Sequence, residues 1–316
     1  MSALVTVADI KAAAERIRGV AVRTPLIDVD LSADLPADLS LKSENQQPMG
    51  AFKIRGAVNF LAQLPPEARA AGVITYSSGN HGQAVALAAQ RLGMLAVVVM
   101  PETAPRVKVE GVESYGGEVI FAGTTSLDRR ARAEAEAAAR NLTMVPPFDH
   151  PWIIAGAGTC GLEILEQKPD VSAIYVQVGG GGLIAGISAA VKGSRKDVRV
   201  IGVEPTGAAK MAASRAAGQP VKLEKTASIA DGLLPLRPGD LTFAHVQAFV
   251  DDIVTVTDQE IAGAVRWLYE NAGIVAEPSG ATAAAAVLRE AGPSATVAVI
   301  SGGNISASDH ARYINP

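Results

Sequence analysis

Short apolar runs at residues 73–76, 95–100, 119–121 and 142–145 alternate with stretches of helical spacing, and this alternation constrains the chain more than any other feature. A run of that length suits a strand buried on both faces, and parallel strands need a crossover between them, usually a helix. The pattern therefore predicts a βαβ series around a parallel sheet. Right-handed crossovers put helices on both faces, and ligands sit beyond the carboxyl ends of the strands. Pro146, Pro147 and Pro151 then punctuate the chain, and a second alternation follows through strands near 173–178, 198–203, 249–256 and 296–300. Helical patterns near 154–168, 183–192, 207–217, 258–272 and 279–291 would cover this larger sheet. The expectation is an α/β protein of two lobes, each a mostly parallel sheet flanked by helices. Residues 65–148 form the small lobe, and 1–64 with 149–316 form the large one.

Smaller signals fill in the rest. Thr6 and Asp9 form a capping box ahead of Ile10, Ala13, Ala14 and Ile17, which predicts a helix over 7–18. Residues 57–64 read as helix, ended by Pro65 and Pro66. The stretch 219–248, rich in Pro and Gly, reads as an irregular excursion near a domain or subunit edge.

With 316 residues, 48% of them hydrophobic, the chain can bury one large core or two smaller ones. Its net charge of -4 comes without a basic stripe, so nucleic acid and anionic membrane surfaces are poor partners. No segment reaches about 18 uninterrupted apolar residues, and residues 1–18 hold no apolar run of signal type. A soluble, cytoplasmic protein without membrane contact is expected. Cys160 is the only cysteine, which excludes an internal disulfide and any CxxC motif and leaves a packed thiol as the simplest reading.

Four motifs carry chemistry. Gly50-Ala-Phe-Lys-Ile-Arg-Gly-Ala57 sets Lys53 between a Pro and Gly bend and an alanine-rich helical pattern. A lysine there is ordinarily a solvated charge, yet burial among Met49, Phe52 and Ile54 would lower its pKa and free the amine as a nucleophile. Ser77-Ser-Gly-Asn-His-Gly82 follows the first small-lobe strand and opens a helix. It is more than a cap requires, and it suits a substrate carboxylate at a helix N-terminus. Val178-Gly-Gly-Gly-Gly-Leu183 leaves four backbone amides unobstructed, as a phosphate needs. Gly180, Gly182 and Ala185 also fit a dinucleotide fingerprint, with Glu204 ending the next strand. That NAD reading leaves Lys53 and the serine turn unexplained, whereas a phosphorylated aldehyde cofactor accounts for all three. Ser301-Gly-Gly-Asn304, again at a strand's end, offers a hydroxyl to a ring nitrogen or is a glycine turn before the last helix. Motifs of zinc proteases, α/β-hydrolases and glycosidases are lacking.

Taken together and in this order, the four motifs resemble the serine/threonine dehydratase and serine racemase group of pyridoxal-phosphate enzymes, fold type II, with the tryptophan synthase β architecture. The resemblance covers nearly the whole chain. It implies that Lys53 holds pyridoxal 5'-phosphate as a Schiff base and removes the substrate α-proton. Phe52 and Asn80 would contact the cofactor ring and its phenolic oxygen, and Gly179, Gly180, Gly181, Gly182 and Leu183 its phosphate. Ser301 would meet the pyridine nitrogen, and Ser77, Ser78, Asn80 and His81 would line the carboxylate turn. Ser78 would lie opposite Lys53, where racemases place a second acid/base.

The implied activity is dehydration and deamination of an L-β-hydroxy amino acid, threonine or serine by default, to a 2-oxo acid and ammonia. Hydroxyaspartate or phenylserine dehydration, racemisation, and nicotinamide-dependent oxidoreduction are the alternatives carried forward, together with a non-catalytic amino-acid sensor. The resemblance also implies a homodimer. One departure stands out: where metal-activated members place a carboxylate two residues after Ala208, this chain has Lys210. No bound metal is expected, with the Lys210 ammonium pairing with Glu204 in place of a divalent cation.

Overall fold

The computed structural model describes residues 3–29, 38–77, 79–104, 106–290 and 295–315. In chain order its strands are β1 (Leu26–Val29), β2 (Leu39–Lys42), β3 (Val73–Tyr76), β4 (Ala96–Met100), β5 (Glu118–Phe121), β6 (Thr143–Met144), β7 (Ala173–Gln177), β8 (Arg199–Pro205), β9 (Asp252–Val256) and β10 (Thr296–Val299). They make two sheets, one in the order β5-β4-β3-β6 and one in the order β1-β2-β10-β7-β8-β9. The smaller sheet is parallel throughout, and the larger is parallel except where β1 meets β2. Every residue of β4 and β7 is buried, as central strands covered on both faces must be.

The predicted alternation is thus present in both sheets, and the departures from it have physical causes. β1 and β2 escape a search for apolar runs because β2 alternates Leu39 and Leu41 with Ser40 and Lys42 while burying all four. Ser40 bonds Asp28 at 2.6 Å, and Lys42 lies among oxygen partners, so its polar residues are satisfied inside the protein. Within the proline-rich excursion a helix forms over Asp240–Phe249. Its first amides, those of Asp240, Leu241 and Thr242, are capped by the Asp149 carboxylate at 3.0–3.1 Å. A cap supplied from about ninety positions away leaves no local signal. The capping box at Thr6 and Asp9 forms as read, opening the helix Val7–Ile17.

Close helix packing then fixes the site. The helices Lys53–Leu61, Pro151–Gln167 and Gly182–Ser194 stack in sequence. Gly156 lies against the backbone of Arg55 and Gly56, and Gly186 against Ile154 and Gly158, so closely that a Cβ on either would overlap main-chain atoms. Glycine at these two contacts brings the start of the first helix beside the start of the third. Both starts lie where the carboxyl ends of β10 and β7 emerge. Among the described residues no helix is long and apolar enough to cross a membrane.

Candidate active site

The helix bearing Lys53 begins at the lysine itself, four residues before the sequence pattern placed it. Phe52 is already in the right-handed helical region, and its amide donates to the Ser301 carbonyl at 3.0 Å. Gly303 N donates to the Gly50 carbonyl at 2.9 Å, and Asn304 donates through its amide to the Met49 carbonyl at 2.9 Å. The Ser301 to Asn304 turn therefore anchors the lysine helix from outside its own sequence.

Lys53 projects into a narrow cleft bordered by Phe52, His81, Pro147 and Gly182. Its amine donates to the Pro147 carbonyl at 2.7 Å and lies 5.2 Å from the Phe52 ring centroid. Loss of water around it lowers its pKa to about 8. His81, buried beside it, is pushed down to about 3 by burial first and the Lys53 charge second, so its imidazole is neutral. Its Nε2 lies 3.2 Å from the Val145 carbonyl.

Across the cleft lies the glycine turn. Gly181 has φ +98° and opens the helix Gly182–Ser194. A Cβ on Gly180 would overlap the Phe148 ring atoms, and one on Gly181 would press on Thr242 and Met211. Gly180, Gly181, Gly182 and Leu183 are buried, yet among the described residues no acceptor meets their amides or that of Gly179. Buried amides without partners are uncommon, and grouped at a helix N-terminus they form an anion site. An amine facing such a site suits a ligand with an aldehyde at one end and a phosphate at the other.

The other predicted residues gather at the same strand ends. Asn80 opens the helix Asn80–Leu92, donating to Glu277 at 2.5 Å and accepting from Asn304 at 2.7 Å. Glu277 is raised to about 7, by burial first and Asp231 second. Ser77 accepts from the Gly79 amide at 3.2 Å. Ser301 donates its hydroxyl to the Gln177 carboxamide, which accepts also from Ser301 N at 3.1 Å when its nitrogen faces the Val299 carbonyl. Ser78 lies outside the described residues. Cys160 is a buried thiol raised by burial, consistent with a packing role.

Two buried charge clusters were not read as site features or were only partly read. Arg55, two residues past the lysine, bonds Glu44 through Nε at 2.7 Å and through a second nitrogen at 2.8 Å. It also bonds Glu163 at 2.7 and 2.8 Å and Thr159 at 2.9 Å, while Lys42 pairs with Glu163 at 2.6 Å. Two cations and two carboxylates thus close a box beneath the lysine helix. The only sequence signal was charge in otherwise apolar surroundings. Behind the glycine turn, Lys210 pairs with Glu204 at 3.0 Å, the pairing expected from sequence, with both side chains fully buried. Its ammonium also donates to the carbonyls of Val178, Ala208 and Leu233 at 2.9–3.0 Å.

Residues 17–302 match the family described as pyridoxal-phosphate dependent enzyme. The chain is 43% identical over 84% of its length to the biosynthetic L-threonine dehydratase of Pasteurella multocida, of which it spans 52%. It is 42% identical to the L-threonine ammonia-lyase of Thermotoga maritima over 99% of this chain and 79% of that one. Among solved structures, maize serine racemase superposes with a TM-score of 0.93 at 37% identity, covering 97% of this chain and 96% of that one. The dinucleotide reading of Gly180, Gly182 and Ala185 gives way to this family match. The chain belongs to the pyridoxal-phosphate dependent enzymes, in the fold type II architecture, and its cofactor is pyridoxal 5'-phosphate.

Proposed function

We propose that the protein is an ammonia-lyase that eliminates water from an L-β-hydroxy amino acid, threonine or serine, and releases a 2-oxo acid and ammonia. The observation that carries this reading is the Lys53 amine, lowered to about 8, in a cleft shared with Gly182, which belongs to a glycine turn whose five amides meet no acceptor among the described residues. The amides of residues 179–183 would hold the cofactor phosphate, and Lys53 its aldehyde carbon. Ser301, an uncharged hydroxyl just past the end of β10, would meet the pyridine nitrogen, and Phe52 and Asn80 would border the ring. When bound, the cofactor supplies the electron sink.

The chain's own residues do the rest. The serine turn of Ser77, Ser78, Asn80 and His81 binds the substrate carboxylate, which the N-terminus of the helix Asn80–Leu92 favours. That hold directs the Cα–H bond toward Lys53. With a pKa near neutrality, the Lys53 amine takes the α-proton and releases it again within one turnover. The β-hydroxyl leaves as water, and the resulting enamine hydrolyses to the 2-oxo acid and ammonia.

Likeness to an L-threonine ammonia-lyase along nearly the whole chain supports this reading. Racemisation is the second reading, supported by the place of Ser78 in the serine turn and by the likeness to maize serine racemase. The division into a large lobe, 1–64 and 149–316, and a small lobe, 65–148, belongs to the same proposal. It is supported by the strands, since β3 to β6 fall within 65–148 and the others outside. A cytoplasmic homodimer follows from the family resemblance, and light scattering of the purified protein tests the assembly.

The deciding assay measures ammonia and 2-oxo acid from threonine, serine, hydroxyaspartate and phenylserine, with chiral analysis of remaining substrate. Ammonia from threonine or serine is the expected result. Inversion without ammonia would favour the racemase, and binding without either product would favour a sensor.

A further inference from the structure

The serine turn is neutral in every side chain that the structure describes: Ser77, Asn80 and an uncharged His81. A charge stands directly over it. A first side-chain carbon built on Gly79 would lie 3.7 Å from the Lys108 ammonium, which comes from the helix Arg106–Glu113 between β4 and β5. Glu277, the partner of Asn80, is raised by burial and by Asp231 and feels this ammonium in the opposite direction. The one ion-pair partner of Lys108 among the described residues is Asp231, at 2.5 Å, in the short turn Asp231–Leu233. That turn packs behind the glycine turn, with the Gly232 carbonyl against Gly179. Lys108 therefore stands between a turn that suits a carboxylate and a turn that suits a phosphate, at the ends of two different sheets.

The pair is unevenly exposed. The Lys108 side chain is 16% exposed and that of Asp231 55%, so the ammonium has left water for a partner that has not. Such a pair is weak, because water screens the Asp231 carboxylate. An ammonium also has three protons to give, and Asp231 takes one. We propose that Lys108 is a substrate-binding residue, whose ammonium donates to the carboxylate held on the serine turn and gives the site its preference for amino acids over simple amines. Asp231 is the opposing charge that the arriving carboxylate must share Lys108 with. Lys108 does not border the cleft around the Lys53 amine, so it touches the carboxylate and none of the reacting atoms. The proposal rests on the serine turn being the carboxylate site.

The test uses two ligands that link to the bound cofactor through their amino group and cannot be turned over. α-Methyl-L-serine has no α-hydrogen, and 2-amino-2-methylpropanol is the same molecule with methyl in place of the carboxylate. Binding of each is read from the absorbance change of the cofactor-loaded protein, in wild type, Lys108→Met, Lys108→Arg and Asp231→Asn. Wild type should prefer the amino acid. Lys108→Met should bind α-methylserine about ten- to a hundredfold more weakly, the worth of a hydrogen bond to a charged group, and the amino alcohol as wild type does. Lys108→Arg keeps the charge and should keep most of the preference. Asp231→Asn should bind the amino acid as tightly as wild type or more so, since the opposing charge is gone.

Undiminished preference in Lys108→Met overturns the proposal. An equal loss of both ligands also overturns it, because Lys108 would then be a tie between the two turns and nothing more. Weaker amino-acid binding by Asp231→Asn points to the same tie and has the same consequence. Should Lys108→Met not fold, preference kept by both Lys108→Arg and Asp231→Asn supports the proposal, and its loss in either overturns it. Where wild type itself binds the amino acid no better than the amino alcohol, the serine turn is not a carboxylate site, and that part of the proposed function falls together with the role of Lys108. Discrimination by wild type that survives in Lys108→Met removes Lys108 alone.

Discussion

Lys53 and Lys210 are both lysines taken out of bulk water, and the protein treats them in opposite ways. Lys210 is fully buried with four oxygen partners, and its pKa is lowered by burial first, with the Glu204 carboxylate pulling the other way. Lys53 stands in a cleft with one carbonyl, no carboxylate partner among the described residues, and a pKa lowered to about 8. The difference is what separates a structural charge from a reactive amine: a carboxylate partner opposes the loss of the proton that burial favours, and burial without a counter-charge meets no such opposition. Arg55 shows the structural treatment again, two residues from the reactive one, with Glu44 and Glu163 surrounding its guanidinium.

The comparison breaks most visibly in turnover. Lys53→Ala should lower ammonia release by at least about ten-thousandfold, some 5 kcal/mol of barrier, because no other described amine faces the cleft. Steady-state assay of the cofactor-loaded variant checks this, and a loss under tenfold would remove Lys53 from its role. Next in size is Lys210→Met, which leaves the buried Glu204 without its counter-charge and three carbonyls without their donor. A loss of about 3–5 kcal/mol is expected in urea denaturation. A loss below about 1 kcal/mol would mean the pair is no more than a surface-like contact.

How far these roles were legible in sequence follows the same division. Lys53, the glycine turn and Ser301 were visible because each is a local signal: special residues at a strand end, opening a helix. Both sheets were visible through apolar runs. The Arg55 box was not, since its members come from residues 44, 55, 159 and 163 and only folding brings them together. β2 hid for a related reason, because Lys42 is buried by virtue of Glu163 in a distant helix. The start of the lysine helix was placed late because the bond that fixes it, Phe52 to Ser301, spans most of the chain.

Stability sharpens the contrast further, because the two lysines should respond to removal with opposite signs. Lys53 has a folded pKa of about 8 against an ordinary 10.5. Such a depressed group contributes stability above its unfolded pKa and loses it as pH falls through the folded one. At pH 7 the cofactor-free protein therefore carries a charged Lys53 at a cost of up to about 3 kcal/mol, from 1.36 kcal/mol per unit. Lys53→Met should then stabilise the cofactor-free protein at pH 7, by up to that amount, where Lys210→Met destabilises it. Denaturation at pH 7 and again near 10.5 checks the assignment, since the advantage of the variant should shrink as the wild-type amine loses its proton.

The smallest effect reads the same pKa through chemistry. Only the neutral amine can attack an aldehyde, so the rate of covalent cofactor capture by cofactor-free wild type should fall about tenfold per pH unit below 8 and level off above it. The rise of absorbance on mixing with pyridoxal phosphate measures that rate. A limb near 10.5 would mean that the cleft does not desolvate the lysine, and the contrast with Lys210 would then rest on partner count alone. A limb near 8 ties the missing carboxylate beside Lys53 to its reactivity, which is the physical difference between the two sites.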